Sequence, residues 1–195
     1  MFATSNQDTA VQLLQAVGLT EGALSTRLHQ LSNSDARYLK DLKINVTNGL
    51  NSTNLTKKEA YLIGLSVAVN EKHFELQAAF EKLALAEGAN DKEVAEVISC
   101  TSLLVANNVY YRFRHFVKKE FYTAQPAGIR MSIMANPVLG KEFFELVSLV
   151  VSALNGCEMC VSSHEEALIK HGTTQNRILD AVRLGAVLRS LIVLL

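Results

Sequence analysis

Apolar residues recur every three or four positions along most of the chain, the period of an amphipathic helix rather than the alternation of a strand. Leu62, Leu65 and Val69 follow it, as do Phe74, Leu76, Phe80 and Leu83. Val94, Val97, Ile98, Leu104 and Val105 continue the pattern, and Ile178, Ala181, Val182, Gly185 and Leu188 repeat it near the end. Helix-start signals sit where these runs begin. Thr56 with Glu59 reads as a capping box, Asn90 with Glu93 is a related pair, and Thr173-Thr174 can cap the last helix. Breaks fall at Gly88-Ala89-Asn90, Pro126-Ala127-Gly128, Asn136-Pro137, Asn155-Gly156 and Gly172. The pattern predicts an all-α fold, a helical bundle of about eight to ten helices with no sheet.

The organisation has two further features. Residues 1–33 read as an N-terminal extension: Val11, Leu13, Leu14 and Val17 predict a short helix ending at Gly18, and Ser32-Asn33-Ser34-Asp35 breaks the chain. A docked helix and a partly mobile arm are both open for it. Residues 34–195 read as one helical domain carrying an internal echo. Leu65-Ser66-Val67-Ala68-Val69-Asn70 resembles Val150-Val151-Ser152-Ala153-Leu154-Asn155 at a shift of 85 (155 − 70). The segment from Gly88 resembles that from Gly172 at a shift of 84 (172 − 88), so a one-residue gap reconciles the two. This predicts a two-copy array, with copies over about 56–108 and 137–195. At a shift of 85, Cys157, Cys160 and His164 correspond to Lys72, Glu75 and Ala79, so chemistry is expected in the second copy only.

Composition narrows the class. The chain has 195 residues, 49% of them apolar, which is enough for a sizeable core and argues against disorder. Nineteen basic residues balance nineteen acidic ones, which removes the electrostatic basis for nucleic-acid binding. The most apolar stretches, Leu146 to Leu154 and Leu184 to Leu195, fall short of the ~18 residues a membrane span needs. The segment Met1 to Asp8 has no basic start followed by an apolar run, so no signal peptide and a cytoplasmic location are expected. Three cysteines there do not make a structural disulfide framework, and the spacing of Cys157 and Cys160 as CxxC points to redox or metal chemistry.

Asn155-Gly156 is expected to break the chain, so that Cys157 opens a new helix. At about 100° per residue, Cys157, Cys160 and His164 share an arc of about 60°. Cys160 and His164 are an i, i+4 pair and can touch. A helix N-terminus stabilises negative charge and a neighbouring imidazole can take a proton, so this is a place to form a thiolate. A second thiol one turn away can resolve an oxidised first one. The same spacing also suits structural zinc, with His171 as a possible fourth ligand, or a pair of inert buried cysteines. Met159 falls on the far side of the helical wheel from the thiols. Cys100 lies in an apolar helix and is expected in the core, and His29, His73 and His115 have no partner pattern. Arg112, Arg114, Lys118 and Lys119 form a basic run expected on a solvated or subunit-contact face.

These residues resemble the AhpD alkylhydroperoxidases of the carboxymuconolactone decarboxylase superfamily. That family's pattern is a Glu, twelve residues later a CxxC, and a His four after the second Cys; Glu145, Cys157, Cys160 and His164 match it. Asn107-Asn108-Val109-Tyr110-Tyr111-Arg112, the segment Arg130 to Pro137, and Asp41-Leu42-Lys43-Ile44-Asn45 resemble the family as well, over roughly residues 34 to 195. The resemblance implies an all-α trimer with an internal repeat that reduces hydrogen peroxide and organic hydroperoxides. It implies no tightly bound cofactor and no metal. A dihydrolipoyl group on a lipoylated adaptor or acyltransferase would supply electrons, and the peroxiredoxin AhpC would be served by the same relay. Carried over by residue, Cys160 is the peroxidatic thiol that becomes a sulfenic acid, and Cys157 is the proton donor and resolving thiol. His164 is the base and Glu145 the proton relay. The role of Glu145 rests on the resemblance alone, since Glu158, Glu165 and Glu166 are nearer in sequence. Two departures stand out: Met159 occupies a place where the family often has a second His, and the chain carries about 30 additional N-terminal residues. A general thiol-disulfide reductase, a zinc-stabilised helical oligomer and a lactone decarboxylase remain as other readings.

Overall fold

In the computed structural model, residues 6–195 are described. The first five residues of the segment read for a signal peptide lie outside them. The all-α expectation holds: the described residues form ten α-helices and two short 3-10 turns, with no strand. In order, the helices are α1 (Asn6–Ala16), α2 (Thr26–Asn33), α3 (Arg37–Leu50), α4 (Lys57–Asn70) and α5 (Phe74–Ala86). Then come α6 (Asp91–Val117), α7 (Glu120–Ala124), α8 (Lys141–Leu154), α9 (Glu158–Lys170) and α10 (Gln175–Ile192).

The caps read from the sequence start three of these. Thr56 and Glu59 exchange side-chain and backbone bonds at the head of α4, and Asn90 and Glu93 do the same for α6. The Thr174 hydroxyl accepts from the Arg177 N–H at the head of α10. Each such cap is worth about 1 kcal/mol. His73, which had no partner pattern, caps α5 through its ring: Nδ1 accepts from the Leu76 N–H at 3.3 Å.

The centre of the bundle is built from α4 and α8. Leu62 to Ala68 and Leu146 to Ser152 are each buried without interruption, so these helices are covered on all sides. Burial of each large aliphatic side chain contributes about 1.5–3 kcal/mol. The close approach is set by glycine: a Cβ on Gly64 would lie 2.7 Å from the Phe80 ring, and one on Gly185 would lie 2.7 Å from Val150 Cγ1.

A constant spacing runs through the second half of the molecule. Helix α8 begins 84 residues after α4 (141 − 57), with α9 and α10 at the same distance from α5 and α6. The left-handed turn at Lys72 matches that at Gly156, and Gly88 matches Gly172. Even an ion pair recurs with its charges exchanged: Lys58 with Glu93 at 2.9 Å, and Glu142 with Arg177 at 3.0 Å. The shift of 85 expected around the cysteines is therefore corrected to 84. Cys157, Cys160 and His164 stand opposite His73, Leu76 and Phe80, not Lys72, Glu75 and Ala79. The one-residue gap arose from matching Asn70 with Asn155. These two instead hydrogen-bond one another directly, the Asn155 amide donating to Asn70 Oδ1 at 3.0 Å.

The described part of the N-terminal segment is docked. Ala10, Leu13, Leu14 and Val17 are fully buried and continuous with the core of the bundle. The Ser25 hydroxyl donates to the Leu194 carbonyl, tying this segment to the last turn of the chain. No helix among the described residues is long and apolar enough to cross a membrane.

Candidate active site

Helix α8 ends at Leu154, and Asn155 and Gly156 turn the chain into α9. Gly156 takes φ of 66°, a value a Cβ would disfavour. Asn155 is held from three sides. Its amide donates to Asn70 Oδ1 and Asn108 Oδ1, both at 3.0 Å, and its carbonyl accepts from Arg112. Asn108, itself buried, donates to Ser152 Oγ at 3.0 Å. This polar knot fixes where Cys157 enters α9.

Cys157 is the N-cap residue of α9, and its N–H donates to the Ser152 carbonyl at 3.1 Å. Cys160 lies in the first turn, where unpaired backbone N–H groups and the helix dipole favour a thiolate. The two are joined in a disulfide with Cα atoms 5.3 Å apart. They are not equivalent: Cys157 is 0% exposed, whereas Cys160 retains 7%. One turn further on, His164 Nδ1 lies 2.6 Å from Glu145 Oε2 across the α8–α9 pair. With a carboxylate there, Nδ1–H donates and Nε2 is left to accept a proton. Of the nearer glutamates, Glu158 pairs with His115 at 3.2 Å and Glu166 with Lys170 at 2.7 Å, so both turn elsewhere.

Cys160, Ser163 and His164 form one wall of a cavity of about 350 Å³. Leu104, Asn107 and Tyr111 of α6 form another, and Met131 and Met134 reach in from the connection between α7 and α8. Met159 also lines it. The wheel had turned Met159 away from the thiol face; the structure corrects this. The cavity opens over the flank of α9 that carries residues 159, 160, 163 and 164, while Cys157 points into the protein. The connection bearing Met131 is anchored by the buried Glu96, whose carboxylate accepts from the Val138 and Leu139 N–H groups at 2.8 and 2.6 Å. Sequence spacing missed Asn107, Asn108 and Asn155 as parts of this site. The available signal was two adjacent amides, Asn107 and Asn108, set between the apolar runs Leu103 to Ala106 and Val109 to Tyr111.

Other expectations fall differently. Cys100 is fully buried, as expected, with its thiol 3.4 Å from Ser148 Oγ. Burial, with Glu96 and Glu145 adding to it and Ser148 opposing it, pushes its pKa up to about 12. His171 is exposed at the far end of α9 and is not brought to the thiols. No group of three or more His, Cys, Asp or Glu among the described residues is arranged to hold a metal. The basic run is partly structural: Arg112 binds the Asn155 carbonyl, and Arg114 binds the Thr123 carbonyl and lies over the Tyr110 and Tyr111 rings. His115, expected without a partner, faces Glu158 beside Cys157.

Comparison with known proteins bears on this geometry. Residues 122–191, which hold all of α8 and α9, match the model of the carboxymuconolactone decarboxylase family. The chain is similar to an alkyl hydroperoxide reductase AhpD of Beijerinckia indica subsp. indica, at 39% identity over 78% of this chain and 84% of that protein. Similarity to the protein of that name from Coxiella burnetii (strain Dugway 5J108-111) is 40% over 79% and 88%. For the one from Anaeromyxobacter sp. (strain K) it is 36% over 77% and 81%.

Proposed function

The chain belongs to the AhpD alkyl hydroperoxide reductase family, and from that premise we propose that it is an antioxidant peroxidase reducing hydrogen peroxide and organic hydroperoxides with the Cys157–Cys160 dithiol. The observation that carries the reading is a shared wall. Cys160 and His164 face one cavity, Glu145 holds the far side of the imidazole, and Cys157 lies behind within bonding reach.

The chemistry follows from that arrangement. In the reduced protein His164 Nε2 takes the Cys160 proton, and Glu145 steadies the resulting imidazolium. The Cys160 thiolate attacks the terminal oxygen of the hydroperoxide. An S–O bond forms, the O–O bond breaks, and the electron pair leaves on the alkoxide, which is protonated to the alcohol by the Cys157 thiol. The Cys157 thiolate then displaces hydroxide from the Cys160 sulfenic acid. The hydroxide leaves as water by taking back the proton held on His164 Nε2, and the disulfide closes. Two thiols have given two electrons and two protons to one hydroperoxide. The described disulfide is the end point of this half-cycle.

Return to the dithiol needs an external two-electron donor. We assign that role to a dihydrolipoyl group carried by a lipoylated adaptor or acyltransferase, with AhpC served by the same relay, in the cytoplasm. The working assembly we propose is a homotrimer. Its support is an exposed apolar stripe on α6, formed by Ile98, Val105, Val109, Phe113 and Phe116, which a second copy would cover.

The intermediate tests the reading. In Cys157→Ser, one equivalent of tert-butyl hydroperoxide should leave a sulfenic acid on Cys160 that a dimedone-type probe captures. Absence of the adduct, with Cys160 still free to alkylate beforehand, would remove Cys160 from the peroxidatic role.

A further inference from the structure

The cavity beside Cys160 contains one buried polar group that the chemistry above does not use. Asn107, on α6, is 4% exposed and lines the cavity with Cys160 and His164. Its carboxamide is poorly satisfied at both ends. The nitrogen donates only to Met131 Sδ at 3.2 Å, a weak acceptor. The oxygen is buried without a hydrogen-bond partner. Buried polar atoms are nearly always paired, because leaving one unpaired costs the full desolvation of that atom. An exception in the wall of a reaction cavity points to a ligand.

The chemistry of that ligand can be read from the amide. A carboxamide presents one donor and one acceptor side by side. A hydroperoxide, R–O–O–H, presents a donor and acceptor lone pairs one bond apart, so the two groups are complementary. The rest of the lining is soft. Every methionine after Met1 lies here, at Met131, Met134 and Met159, with Leu104 beside them. Thioether side chains have three rotatable bonds and adapt to irregular apolar shapes. Met131 can therefore swing from the amide to open it, and the same side chains can receive an alkyl tail.

We infer that Asn107 is the hydroperoxide-binding residue of this site. Its oxygen accepts the hydroperoxide O–H and its nitrogen donates to the peroxide oxygens, holding the terminal oxygen toward Cys160 Sγ, while Met131, Met134 and Met159 hold the organic group. The inference rests on the peroxidase reading. It adds a residue that touches substrate without taking part in thiol deprotonation.

The test is a single-turnover reaction of fully reduced protein with hydrogen peroxide and with cumene hydroperoxide, beside the rate of Cys160 alkylation by iodoacetamide. Asn107→Leu keeps the branching and the number of heavy atoms and removes both polar atoms; Asn107→Ala, which cannot overfill the site, serves as a second variant. Both should slow oxidation by either peroxide about tenfold, as expected for the loss of one or two hydrogen bonds to a neutral group, and leave alkylation unchanged. Met131→Ala should slow the reaction with cumene hydroperoxide more than that with hydrogen peroxide, and an equal change for both would remove the thioether from the organic subsite. Oxidation at the wild-type rate in both Asn107 variants overturns the inference, and so does a parallel loss of oxidation and alkylation, which marks a structural role. A wild-type protein that reacts with neither peroxide instead overturns the peroxidase reading itself.

Discussion

Glu145 and His164 meet at 2.6 Å across α8 and α9, in the position that Tyr61 and Phe80 occupy across α4 and α5. Both members of the first pair follow those of the second by 84 residues (145 − 61 and 164 − 80). In the first half the place is filled by two aromatic rings 6.4 Å apart. One geometry thus serves packing in one half and a carboxylate–imidazole pair in the other. The carboxylate sets the ring's tautomer, and in the proposed chemistry the ring takes the thiol proton. Glu145→Gln keeps the side chain's size and removes its charge. Peroxide turnover should fall about 100-fold or more, toward the ~10⁴-fold that replacing the orienting carboxylate costs a general-base histidine. Thermal stability should change little. Steady-state kinetics and a melting curve check this; undiminished turnover would separate Glu145 from the chemistry.

Cys100 should be silent in the reduced protein. Its thiol is fully buried, and burial pushes its pKa up to about 12, so almost no thiolate forms near neutral pH. Brief treatment of the reduced native chain with iodoacetamide should label Cys160 first and Cys100 only after unfolding. Peptide mass spectrometry reads the order directly, and early labelling of Cys100 would contradict its placement.

The Arg177 network predicts an acid limb of stability. Burial pushes the Glu59 carboxyl up, but hydrogen bonds from Arg177 and Thr56 more than reverse this, and its pKa ends below the ordinary 4.5. A carboxyl depressed in the folded state contributes stability that is fully present above its unfolded value. That contribution is lost as pH falls through the folded one. Glu59→Gln should therefore melt lower than wild type at about pH 7, and the gap should narrow below about pH 4. A gap of constant size down to about pH 3 would show that the ion pair with Arg177, 2.6 Å long, adds nothing through its charge.

The α6 stripe makes a prediction about assembly. Val109 is exposed at its centre and makes no part of the core. Val109→Glu should leave the helical circular dichroism unchanged and convert the proposed trimer to single chains by light scattering, because a charge buried without a partner is costly. An unchanged mass would move the subunit contact elsewhere.

Much of this molecule was legible in its sequence because its helices announce themselves locally. Thr56, Asn90 and Thr174 each cap the helix they appeared to begin, and Gly88, Gly156 and Gly172 each end or turn one through positive φ. The thiol pair and its histidine were legible for the same reason, since all three lie within two turns of one helix. What spacing could not give is contact between helices. Glu145 reaches His164 from another helix, and only family resemblance had named it. Asn107 and Met131 enter the cavity from α6 and from a connection with little helix, and the wheel for α9 could not show where the cavity would open, so Met159 was turned the wrong way. Ile98 and Val105 followed the apolar period of α6 and are nonetheless exposed, because the period identifies a face without saying what covers it. The register of the two halves slipped by one residue because Asn70 and Asn155 look like counterparts and are in fact bonded neighbours.

The central claim is that Cys160 is the thiol that meets peroxide. Its most direct test is tert-butyl hydroperoxide consumption with dihydrolipoamide as sole reductant, for wild type and Cys160→Ser side by side. The account predicts sustained turnover by the wild type and none by the variant, because no other thiol faces the cavity with His164. Turnover by the variant at the wild-type rate would contradict it.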